Sequence, residues 1–145
     1  MMNADPSLGC IGEGRGFPFR SYDHHGRVFG WAPPRDWPLH SAAFDIEAKA
    51  FKGSERVQAR YFGDVSPFLL HWTSTEVAAK LLDVPILTYL QNYGAVAASP
   101  DWLGMNAGRG LASVRIWMRS IDLGEHWATI GFIASASQGS SWPRC

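Results

Sequence analysis

Apolar and polar positions follow two different rhythms along this chain, and the change falls near residue 73. Before it, short apolar runs are separated by glycine and proline, which predicts strands at 27–31, 41–51, 56–62 and 67–72. In the second of these, Phe44, Ile46, Ala48 and Ala50 fall on one face, with Asp45, Glu47 and Lys49 on the other. That is the period-two pattern of a half-buried strand with a solvated charged face. Lys52-Gly53-Ser54 reads as a hairpin turn to the third strand. Residues 1–16 read as a loose arm, and Pro33-Pro34 and Pro38 break any helix there.

After residue 73 the spacing turns helical. Thr73-Ser74-Thr75-Glu76 offers hydroxyl caps and an early acid, and Val77, Ala78, Leu81 and Leu82 follow at helical intervals. Pro85 opens a second helix at 86–93, closed by Gly94. A short helix ending at Gly104, a helix at 111–121 and a last one at 124–136 complete the expectation. The fold class read from this is α+β, a small N-terminal antiparallel sheet followed by a C-terminal helical cluster. Its parts are a β-rich region with a loose arm at 1–72, a helix-turn-helix-like region at 73–136, and a flexible tail at 137–145.

Composition narrows the function classes. The 46% hydrophobic content and seven tryptophans favour a packed core over disorder. Thirteen basic and thirteen acidic residues cancel, so the chain lacks the charge of a strong non-specific nucleic-acid binder. Cys10 and Cys145 form no Cys-x-x-Cys pair, which excludes a zinc knuckle, and two free thiols are expected in a reducing compartment. No apolar run is long enough to span a bilayer, and the N-terminus lacks the pattern of a signal peptide. The expectation is a cytoplasmic protein without membrane contact.

The predicted helix at 111–121 carries the chemistry. Val114, Trp117, Met118 and Ile121 share one stripe, while Arg115 and Arg119 are four apart on another face. Ser113 stands at the start of that helix, and Arg109 lies in the glycine-rich turn Asn106-Ala107-Gly108-Arg109-Gly110. Arginine grips guanine bidentately or holds a phosphate. The span 86–136 resembles the small helix-turn-helix domains of phage Cro and repressor-type regulators. The matching positions, in order, are Gly94, Ala97-Ala98, Leu103-Gly104, Ser113-Val114, Trp117 and His126-Trp127. The resemblance implies a sequence-specific transcriptional regulator that is a homodimer on double-stranded DNA. The helix containing Ser113 to Ser120 would then enter the groove, with Arg109, Ser113, Arg115 and Arg119 as DNA-binding residues. Trp117 and Trp127 are expected to pack against each other's helices.

Two further readings stand beside it. One is a non-enzymatic interaction module, such as a phage-encoded inhibitor of a host protein. The other is a metal-dependent nuclease. Phe44-Asp45-Ile46-Glu47 resembles the first motif of the DEDD 3′–5′ exonucleases, in which an Asp and a Glu on one strand face hold metal ions. That family needs two more acids in recognisable motifs, which this chain does not supply. Asp23-His24-His25 reads as a polar surface turn. No catalytic residue, metal site or cofactor is assigned from the sequence.

Overall fold

The computed structural model describes residues 5–37, 39–107 and 114–134. Among them, seven strands form two antiparallel sheets. The smaller contains β1 (Cys10–Glu13), β2 (Phe19–Tyr22) and β3 (Val28–Ala32), in the order β1-β3-β2. The larger contains β4 (Leu39–Ala48), β5 (Leu103–Ala107), β6 (Val114–Asp122) and β7 (His126–Ala134), in the order β4-β7-β6-β5. Helix α1 (Glu55–Val57) continues into a π-helical turn at Gln58–Phe62. Helix α2 (Phe68–Leu81) lies across the larger sheet, and α3 (Ile86–Tyr93) packs beside it.

The register explains the layers. Opposed residues of an antiparallel pair share a face, and neighbours along a strand do not. Phe44 pairs with Ile130, and Ile46 with Ala128. These four face the smaller sheet and are buried against Ile11, Phe29 and Trp31. On the opposite face Ala43, Ile116, Met118 and Ala107 pack under Val77, Ala78 and Ala79 of α2. The large sheet is therefore the middle layer, helical on one side and sheet-covered on the other. Each face buries apolar area that neither layer could bury alone.

The C-terminal helical cluster is not formed. Within the segments expected as helices at 111–121 and 124–136, the described residues form β6 and β7, and the segment ending at Gly104 leads into β5. The supposed glycine start of the last helix is a hairpin turn. Gly124 has φ +85°, its N–H meets Asp122 Oδ1 at 2.9 Å, and Leu123 N–H donates to His126 O. Among the described residues from Leu103 onward, the segments on which the Cro and repressor resemblance rests are strands joined by a turn rather than helices.

Two expected strands are helical instead. Ser54 is an N-cap, accepting from Val57 N–H at 3.3 Å, so 56–62 coils rather than pairing. Residues 68–72 are the first turns of α2. Thr73, Ser74 and Thr75 are then mid-helix residues rather than caps. Their hydroxyls donate back to Leu70 O and His71 O. The strand at 27–31, the strand carrying Phe44 and Ile46, and the helix at 86–93 appear within a few residues of their expected bounds. No helix among the described residues is long and apolar enough to cross a membrane.

Candidate functional site

Arg115, Trp117 and Arg119 alternate along β6, so all three stand on the face turned away from α2. The smaller sheet covers the β4–β7 half of that face and leaves the β5–β6 half more open. Arg115 and Asn106 are exposed there, while Trp117 and Arg119 are half-buried. Gly104 lies opposite Trp117. A Cβ at Gly104 would stand 2.7 Å from the Trp117 ring and 2.7 Å from an Arg115 guanidinium nitrogen. Both side chains therefore lean across the bare backbone of β5.

The polar contacts are few. The Arg115 guanidinium carbon stands 5.1 Å from the Trp117 ring centroid, and Nη1 donates to Asn106 Oδ1 at 3.3 Å. Arg119 Nε donates to Pro100 O at 3.0 Å, and its Nη1 lies 3.9 Å from Asp5. Trp117 Nε1 is buried and has no hydrogen-bond partner. Trp117 pairs in register with Phe132, where an aromatic chain begins. Phe132 meets Trp102 at 5.4 Å and Trp37 at 5.2 Å, and Trp37 meets Trp31 at 6.0 Å. A packed aromatic wall thus runs from the core to the open half of the sheet.

Of the four residues expected to bind DNA, Arg115 and Arg119 share this face, but on a strand. Arg109 and Ser113 lie outside the described residues. Trp117 and Trp127 do not pack together. Trp127 is opposite Asp122, which places it on the α2 face. There it packs beside Phe62, Phe68 and Leu69, with Lys49 Nζ 3.9 Å from its ring centroid.

The acids of β4 are not solvated as expected. Asp45 is buried, takes a hydrogen bond from Ser21 Oγ at 2.8 Å and pairs with Lys80 Nζ at 3.2 Å. Burial pushes its carboxyl up, against the pull of Lys80 and Ser21. Glu47 and Glu76 are half-buried near it. Burial first, and then neighbouring carboxylates, raise each of them to about 7. Among the described residues no three acids, histidines or cysteines are grouped to hold a metal ion. Among the described residues Glu76 lies near Asp45 and Glu47, but the three are not grouped as the ligands of a two-metal nuclease.

Asp23 is no surface residue either. It is buried, and it takes the backbone N–H groups of His25 and Arg27 at 2.9 and 3.0 Å. It also pairs with Arg27 at 2.9 Å and with His126 at 3.4 Å. Burial pushes its carboxyl up, but those donors outweigh burial and hold it below the usual range. The sequence signal was an Asp followed by a glycine-bearing turn, where a carboxylate habitually binds its own backbone.

Comparison of the chain with family models, with curated proteins and with solved structures gives no significant match.

Proposed function

We propose that this protein is a nucleic-acid-binding module that lays a single strand across the open β5–β6 half of its large sheet. One observation carries the reading: Arg115, Trp117 and Arg119 stand side by side on the half of the sheet face that the smaller sheet leaves more open, and Arg115 and Trp117 lean over Gly104. Sheet faces of this make-up bind unpaired bases by stacking on aromatic rings or guanidinium planes, while arginines meet phosphates. A four-stranded sheet is too broad to enter a duplex groove as a recognition helix does, so a single strand fits better than the double-stranded DNA expected from the sequence. The zero net charge fits modest affinity driven by stacking.

The test is a fluorescence titration with single-stranded and duplex oligonucleotides at several salt concentrations. Single strands are expected to bind more tightly than duplex. With two arginines in contact, log K should fall against log salt with a slope of about −1.4. The Arg115→Ala/Arg119→Ala double variant should lose roughly tenfold or more in affinity and flatten that slope. Equal binding by wild type and double variant, or none by either, removes the reading.

A second reading, a protein-interaction module, is favoured by the far side of β5. Tyr93 and Leu103 are exposed apolar side chains beside the edge of the sheet, and with Tyr89, Val96 and Met105 they line a cavity of about 310 Å³. It becomes the better account if no oligonucleotide binds.

A further inference from the structure

A second cavity lies on the α2 side of the large sheet, between the end of β4 and the start of α2. Its volume is about 210 Å³. Phe51, Phe68, Leu69 and Trp72 supply apolar walls, and Glu47 is the acid that lines it. Gly53 keeps the space open, because a Cβ there would stand 2.7 Å from the Phe68 ring. Ser54 also lines the cavity, and its hydroxyl is occupied as the cap of α1. Glu47 accepts a backbone hydrogen bond from His24, yet its Oε1 is buried without any partner. A buried carboxylate oxygen lacking a donor is a costly arrangement that calls for a missing partner.

The surroundings select the sign of that partner. Asp45, Asp23 and Glu76 all bear on Glu47 with like charge. Two cations nearby are already engaged, Lys80 with Asp45 and Arg27 with Asp23, and the His24 ring stacks on Phe51 at 4.6 Å. His126 is also directed to Asp23, and Lys49 is paired with Asp122 at 2.6 Å. Glu47 thus stands among three other carboxylates, two of them already paired with Lys80 and Arg27, beside a pocket walled by aromatic rings. Aromatic walls and a carboxylate together are the chemistry that holds an organic ammonium group.

We propose that this cavity binds a small organic cation with an apolar body, its N–H donating to Glu47 and its body lying among Phe51, Phe68 and Trp72. The site is separate from the arginine face, and neither proposal depends on the other. Glu47, free, titrates at about 7. A bound cation stabilises the ionised form, so binding takes up the carboxylate and strengthens as pH rises through that range.

The probe is benzylammonium, with benzyl alcohol and benzoate as the neutral and anionic counterparts. Binding is followed by calorimetry and by the change in tryptophan fluorescence. Benzylammonium should bind saturably at pH 8, and roughly tenfold or more weakly at pH 5.5. Benzoate should not bind. Glu47→Gln should lose at least about tenfold in affinity and all of the pH dependence, while melting no lower than wild type. Glu55→Gln, on exposed α1, should bind as wild type does. The proposal is overturned if benzylammonium shows no saturable binding at pH 8, if benzoate binds as tightly, or if Glu47→Gln binds equally well.

Discussion

Glu76 sits in the middle of α2, above Asp45 and one turn before Lys80, and its carboxyl is raised to about 7 by burial and by Asp45, with Lys80 opposing. A carboxyl whose folded pKa exceeds its unfolded one is bound to a proton more firmly in the native state. Well below pH 4.5 both states are protonated, and the group is neutral to stability. From there to about pH 7 the native state pays for an ionisation that the unfolded chain accepts freely, so stability falls as pH rises. Glu76→Gln removes that burden. It should match wild type near pH 4.5 and exceed it by about 2 kcal/mol at pH 8, as read from urea unfolding at both pH values. An unchanged or lowered stability at pH 8 would show that Glu76 is well solvated. The strand alternation in the sequence put Asp45 and Glu47 together on one face, and they are together. That alternation carries no information about what covers the face. The covering helix carries Glu76 and Lys80, which turn a solvated stripe into a buried ionic one.

At the scale of elements, the misreading of β6 has a simple cause. Residues four apart share a side in a helix and also in a strand, so Arg115 and Arg119 were grouped correctly under the wrong period. The positions between them discriminate: Ile116, Met118 and Ser120 are all buried and Arg115, Trp117 and Arg119 are not. That is period two. The β-branched Val114, Ile116 and Ile121 favour the same answer. Thr73-Ser74-Thr75 misled in a similar way, because hydroxyls that usually start helices here bind a helix to a sheet. Thr73 Oγ1 lies 2.9 Å from Thr129 Oγ1, and Ser74 Oγ lies 2.9 Å from Ser120 Oγ. Ser120 and Thr129 meet at 3.1 Å, closing a buried network between α2, β6 and β7. Ser74→Ala and Ser120→Ala should each cost about 1–2 kcal/mol by stranding the other hydroxyls. The double variant should cost clearly less than their sum, since the pair is then removed together. Strict additivity in thermal unfolding would mean that the two hydroxyls are not coupled.

For the whole molecule, the decisive pairing is between β4 and β7, which joins distant parts of the chain along most of each strand. No local pattern announces such a partner. It is legible only once both segments are read as strands, and the helical reading of 124–136 removed one of them. The pairing fixes the rest. It makes the large sheet the middle layer, gives α2 one face and the small sheet part of the other, and leaves Arg115, Trp117 and Arg119 on the open remainder. The account's central claim is that this remainder is where a single nucleic-acid strand lies. The most direct measurement is an amide and indole NMR titration of the full chain with a single-stranded oligothymidine. The expected shifts fall on Gly104, Asn106, Arg115, Trp117 and Arg119, including the Trp117 indole, while Thr73 to Ala79 of α2 stay still. Shifts confined to α2, α3 or the small sheet, or no shifts at all, would contradict it.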